Sequence, residues 1–200
     1  AYLSAYAKSH FDKEFFTSYL YYSKEKQKPH EEINELVNNA RLMNIDVYPP
    51  DVRKLNSNFK LIDDKIYFGI SDIKGVGSAV IKKIKQTAED VSAALSRKQD
   101  DWSWLECLLF FCTKINSTAT KAIISVGAMS FIDSNRTRML YEYDIVSNFT
   151  NKELEWAKKF LLENKDERDM PIMDMLNLML EQPVGRAGAI ANKKRFEVFK

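Results

Sequence analysis

A mainly helical fold with one small β element is expected, on three observations. Apolar residues recur at helical spacing, as in Ile33, Leu36, Val37 and Ala40. Strand signals are confined to Ile45-Asp46-Val47-Tyr48, Phe59-Lys60-Leu61-Ile62 and Lys65-Ile66-Tyr67-Phe68-Gly69. From Ser78 to about Thr150 the pattern is helical throughout, with breaks near Gln99-Asp100-Asp101, Asn116-Ser117 and Asp133-Ser134-Asn135.

The elements follow in order. Residues 2–23 carry Tyr2, Leu3, Tyr6, Phe11, Phe15, Phe16, Tyr19 and Leu20, an aromatic stripe at helical spacing broken near Asp12, which could cap a second helix. These rings are expected to pack in a core; stacking on bases is the competing reading. Pro29 opens the next helix after the charged loop Lys24-Glu25-Lys26-Gln27-Lys28, and Asn44 ends it. A short strand then stops at Pro49-Pro50, and a hairpin turns at Asp63-Asp64. An apolar helix over Leu105–Phe111 should join what lies on either side of it, with Trp102 and Trp104 in the core. Residues 151–162 form an amphipathic helix, and a Met-rich helix over 172–180 should pack back on its predecessors. A loop over 182–188 leads to Lys193-Lys194-Arg195, which starts a last helix with a solvated basic face.

Ile70-Ser71-Asp72-Ile73-Lys74-Gly75-Val76-Gly77 is the most informative stretch. It reads as one hairpin of a helix-hairpin-helix, with a second helix starting near Ser78. Glycine tolerates positive φ and lets the backbone approach another molecule closely. The first amides of the following helix have no internal partner and can point at a phosphate. Lys74 in the loop, with Lys82, Lys83 and Lys85 behind it, supplies the positive charge that phosphate contacts need. A Gly-x-Gly alone is more often an ordinary turn than a DNA clamp, so the motif draws its weight from the rest of the chain. A second helix, turn, helix unit is expected at Thr118 to Val126, Gly127-Ala128 and a helix from Arg136. It has one glycine instead of two, and Lys121, Arg136 and Arg138 could offset a poorer socket.

Composition narrows the classes without choosing one. The 200 residues carry 30 Lys plus Arg against 28 Asp plus Glu, so a nucleic-acid surface must come from local clustering. No apolar run approaches the roughly 18 residues of a membrane span, and no secretory signal is visible. The start at Ala-Tyr-Leu, inside a helical pattern, suggests a piece of something longer. Cys107 and Cys112, five apart in an apolar run, fit neither a metal site nor a redox pair and read as small buried hydrophobes. His10 and His30 have no evident partners for metal binding.

The order of these pieces resembles the C family of bacterial and phage replicative DNA polymerases, the DNA polymerase III alpha subunit. The resemblance runs from the end of the fingers domain through a tandem helix-hairpin-helix domain. Tyr2-Leu3-Ser4-Ala5-Tyr6-Ala7-Lys8-Ser9-His10-Phe11 through Phe16 is similar to that family's Y-x-x-A-Y-L-K-x-H-Y-P-x-E-F-F. Ala40-Arg41 through Pro49-Pro50-Asp51-Val52 is similar to its A-R-x-x-G-I-x-V-L-P-P-D-V. Phe68-Gly69-Ile70 through Gly77 resembles F-G-L-x-A-I-K-G-V-G, Leu109-Phe110-Phe111-Cys112 resembles L-F-D-F-C, and residues 121–129 resemble the pattern L-I-x-x-G-A-F. Residues 2 to about 142 are covered; Arg53, Leu55 and Asp12 depart from the pattern, and 151–200 do not align.

The resemblance implies three regions: 1–68 as the end of a fingers domain with a short β-hairpin, 69–150 as a tandem helix-hairpin-helix DNA-binding domain, and 151–200 as a helical extension or linker. It implies a cytoplasmic DNA-directed DNA polymerase as parent, using Mg²⁺ at aspartates upstream of this chain. This segment would be non-catalytic and free of cofactors, with Asp63-Asp64 and Asp100-Asp101 as turn residues. Its partner would be double-stranded template-primer DNA, gripped along the phosphates behind the active site. Lys74, Gly75, Val76, Gly77, Lys82 and Lys83 are the expected primary contacts, and Lys121, Gly127 and Arg136 the secondary ones. Sliding-clamp or other replisome contacts would be made outside this chain, and no membrane is involved. Two alternatives stand beside this: a helical protein-interaction module of a replication protein without DNA contact, and a free-standing repair factor, which the clipped start disfavours.

Overall fold

A computed structural model describes residues 2–181 and 196–197. The loop expected over 182–188 and the basic run at 193–195 lie outside them.

The N-terminal unit contains α1 (Tyr2–His10), α2 (Asp12–Ser23) and α3 (Pro29–Leu42). Pro29 occupies the first turn of α3, where its missing N–H costs nothing, and Asn44 turns the chain out of the helix at φ 59°. Strands β1 (Val47–Tyr48), β2 (Lys60–Ile62) and β3 (Lys65–Tyr67) make one sheet in the order β1-β3-β2. β1 runs parallel to β3, and β2 pairs antiparallel to it with Leu61 opposite Ile66. Asp63 and Asp64, both at positive φ, form the two-residue turn between β2 and β3. Phe16, Leu20, Leu36, Ala40, Ile45, Phe59 and Ile66 close this unit's core.

The aromatic stripe of residues 2–23 behaves differently from expectation. Phe16 and Leu20 are buried, whereas Tyr2 is 80% exposed and Leu3, Tyr6 and Phe11 also face outward. α1 buries none of its residues, and its rings stack on one another along the helix, Tyr6 lying 4.1 Å from His10. Asp12 is the first residue of α2 and not its cap, because Phe11 occupies the cap position.

The larger core surrounds a helix buried on every side. α5 (Trp104–Glu106) is set by a reciprocal cap, in which Ser103 Oγ accepts from the Glu106 N–H and the Glu106 carboxylate accepts from the Ser103 N–H. It runs on as a π-helix through Cys107–Phe111 and a 3₁₀ turn through Cys112–Lys114. Every residue from Leu105 to Cys112 is buried, which an all-round apolar helix requires. The wider π turn bonds the Cys112 N–H to the Cys107 carbonyl and brings the two thiols into a side-chain hydrogen bond. That contact, with burial, holds the Cys107 thiol well above its usual range, so a reactive thiolate is disfavoured.

Around this axis pack α4 (Ser78–Leu95), α6 (Ser117–Ser125), α7 (Arg136–Ser147), α8 (Asn151–Glu163) and α9 (Ile172–Glu181). Met175 and Met179 are buried, so the Met-rich helix folds back on the others. Trp102 is buried and Trp104 half-buried against the same cluster.

The two cores meet at residues 51–58 and 69–72. Ile70 and Ser71 donate backbone bonds to Asn56 (2.9 Å) and Ser57 (3.1 Å), Val52 donates to Ala128 (3.0 Å), and Lys24 pairs with Asp72. Gly69 permits this docking. A Cβ there would lie 2.2 Å from the Ser57 carbonyl oxygen and 2.4 Å from Asn58 Cα.

Candidate nucleic-acid interface

The hairpin between the 3₁₀ turn Ile70–Asp72 and α4 is held from beneath by apolar anchors. Ile70, Ile73 and Val76 are buried, which leaves Lys74, Gly75, Gly77 and Ser78 on the surface. Gly75 takes φ +90°, a conformation other residues adopt only with strain. Gly77 is the N-cap of α4 in extended backbone (φ −84°, ψ 174°), with no side chain to cap the helix. Among the described residues, the N–H groups of Gly75, Gly77, Ser78 and Ala79 therefore have no protein acceptor. α4 also has no acidic residue in its first turn. Free amides and an uncompensated helix dipole together make an anion seat.

Val76 corrects the expected contact set. Its N–H is bonded to the Ile73 carbonyl at 3.0 Å and its side chain is buried, so it braces the loop from inside. The accessible donors are the glycine amides on either side of it and the first amides of α4.

The charges around this seat carry one sign. Lys74, Lys82 and Lys83 are exposed and Lys85 half-buried, and among the described residues none of the four pairs with a carboxylate. The nearest acid in sequence, Asp72, is held by Lys24 and by the Gly69 N–H at 2.9 Å. A groove of about 460 Å³ runs from Gly77, Ser78, Lys82 and Lys85 to Ser57, Asn58 and Ser71. The Ser57–Asn58 wall comes from a loop distant in sequence, tied down through Gly69, and no local pattern marks it.

The second unit is arranged otherwise than expected. Gly127, at φ +80°, terminates α6: its N–H bonds to Ile124 (3.0 Å) and the Ala128 N–H to Ile123 (3.1 Å). That pair of bonds is the usual way a helix ends on a left-handed glycine. Gly127 is buried, with the Arg136 guanidinium lying where its Cβ would be, so it offers no phosphate socket. Arg136 is exposed and donates to the Ser125 carbonyl at 3.2 Å, closing the same helix end. Lys121 pairs with Asp144 at 2.7 Å, which raises its pKa. The start of α7 is already satisfied, since Asn135 caps Arg138 N–H and the Asp133 carboxylate accepts from the Asn135 N–H.

The structural counterpart of the first hairpin lies earlier, at Thr113–Asn116 between the π-helical axis and α6. Buried Ile115 stands where Val76 stands, Asn116 matches Gly77 as an extended N-cap, and Ser117 matches Ser78. The shared pattern of an apolar anchor, a cap residue and a serine was the available sequence signal. Here the cap is filled, because Asn116 Oδ1 accepts from the Ala119 N–H at 2.8 Å. The two hairpins are neighbours: a Cβ on Gly75 would sit 3.7 Å from Thr118 Cγ2 in the first turn of α6.

A helix-hairpin-helix motif family model matches residues 44–139. DNA polymerase III subunit alpha of Aquifex aeolicus is 30% identical over 146 residues, 70% of this chain and 11% of that protein. The subunit of Thermus aquaticus is 34% identical over 89 residues, 44% of this chain and 7% of that protein. That of Deinococcus radiodurans is 26% identical over 132 residues, 64% of this chain and 9% of that protein. The match thus spans about a tenth of each relative's length.

Proposed function

This chain is a helix-hairpin-helix relative of DNA polymerase III subunit alpha, and on that premise we propose that it holds duplex template-primer DNA by its phosphates, without reading sequence. The observation that carries the reading is the uncapped, acid-free start of α4 beside four lysines that pair with no carboxylate among the described residues. Phosphate oxygens accept from the amides of Gly75, Gly77 and Ser78, while Lys74 and Lys82 supply charge at either side. Such contacts fix the position of a duplex and carry no base information. The neighbouring Thr113–Asn116 hairpin, with Lys114 exposed on it, gives a second and weaker contact.

Nucleotidyl transfer belongs in this reading to a longer parent polymerase. The Mg²⁺ that such an enzyme uses does not fit the donors here. Asp63 pairs with Lys54, Asp64 with Lys13 and Asp100 with Arg53, and no group of three possible ligands converges among the described residues. The segment's part is to keep the parent on its template.

The test is an anisotropy titration of a short labelled duplex at several salt concentrations. Binding should fall with salt and be alike for unrelated sequences. Lys74→Gln and Lys82→Gln should each lower the slope of log K against log salt by about 0.9. A chain that forms no salt-sensitive complex with duplex DNA overturns the reading in favour of a protein-interaction module.

A further inference from the structure

Next to the second hairpin lie two lysines that join no ion pair among the described residues. Lys114 ends the 3₁₀ turn that continues the π-helix containing Phe110, four residues earlier. α8 packs on this helix, and its Lys158 places Nζ 5.6 Å from the Phe110 ring centroid. Lys158 is half-buried and Lys114 exposed. The Lys158 pKa is held below the ordinary lysine value first by burial and then by the Lys114 charge, against a weaker pull from Glu155. Neither lysine joins an ion pair among the described residues. Holding a partly desolvated ammonium beside another costs free energy, and an anion seated between them removes that cost.

We propose that Lys114 and Lys158 form a further phosphate seat, through which α8 extends the DNA-backbone track beyond the two hairpins. The seat is continuous with the surface already described. Lys114 lies in the Thr113–Asn116 hairpin, and the helix which that hairpin opens abuts Gly75. The phenyl ring supports the lysine stem from below, which aims a flexible side chain at reduced entropic cost. α8 lies outside the segment matched by the helix-hairpin-helix model, and Lys114 inside it. The inference rests on the duplex-binding reading above.

The experiment uses the full 200-residue chain and the same labelled duplex over about 50–200 mM salt. Lys114→Gln and Lys158→Gln should each lower the salt slope by about 0.9, and Lys158→Arg should keep the wild-type slope. Lys114 is exposed, so its variant tests the seat without disturbing the packing on Phe110. A wild-type chain with no salt-sensitive complex overturns both readings. A wild-type chain whose slope falls with Lys74→Gln but stays unchanged with Lys158→Gln overturns this inference alone, whatever Lys114→Gln does.

Discussion

Replacing Gly77 with aspartate separates folding from DNA binding at a single position. Gly77 has φ −84° and ψ 174°, open to any residue, and a Cβ there would meet nothing within 4 Å. The substitution is therefore free of strain, unlike one at Gly75. An aspartate at this N-cap would accept from the first-turn amides of α4, exceeding glycine as a cap by about 0.3 kcal/mol. Its charge would complement the helix dipole by about 0.3–1 kcal/mol more. Gly77→Asp should thus stabilise the chain by about 0.6–1.3 kcal/mol, a rise in Tm of about 1–5 °C for a protein of this size. The same carboxylate takes the place of the phosphate. The loss of a charge-assisted contact worth about 1.5–3 kcal/mol predicts duplex binding weaker by about 10- to 150-fold, before repulsion is added. Gly77→Ser, a cap without charge, should fall between the two. Thermal unfolding and anisotropy on one preparation read both effects. A well-folded Gly77→Asp chain that binds duplex as tightly as wild type, with the same salt slope, refutes the assignment of the seat to the start of α4. A destabilised one refutes the open-cap geometry.

Two further outcomes follow from the packing and the caps. Gly69→Ala keeps an allowed backbone (φ −79°, ψ 152°) but drives a methyl to 2.2 Å from the Ser57 carbonyl oxygen, so the bonds from Ile70 and Ser71 to that loop must break. Denaturant unfolding should show a loss of about 2–5 kcal/mol, combining two backbone hydrogen bonds with overpacking. Asp133 has its pKa lowered, chiefly by the Asn135 N–H and then by the Arg138 guanidinium. A depressed carboxylate contributes stability that is present above its ordinary value of 3.8 and lost as pH falls through the folded value. Wild-type stability measured from neutral to acid pH should decline below that value more steeply than that of Asp133→Asn, and parallel curves would discount the Asn135 and Arg138 contacts.

Much of the fold was legible in the residues because it is local. Pro29 at a helix start, Asp63-Asp64 between two short strands and the apolar run from Leu105 each act within a turn or two, and each forms where its pattern lies. The first hairpin was legible for the same reason, since Gly75 and Gly77 act on the backbone that contains them.

Tertiary structure decided which features face solvent and which charges are spent. Gly127 and Gly75 look alike as isolated glycines at positive φ, yet Gly127 is sealed beneath Arg136 and Gly75 lies open beside Thr118. Lys121 and Lys114 look alike as lysines near a turn, yet α7 brings Asp144 to the first and α8 brings Lys158 to the second. The amino-acid order by itself determined the helices, the turns and one glycine loop with donors to spare, because hydrogen bonds and backbone sterics at short range are fixed by neighbours in the chain. Exposure and charge pairing depend on residues dozens of positions away, so only the folded arrangement could say that Gly127 is sealed while the Thr113–Asn116 hairpin reaches the surface at Lys114.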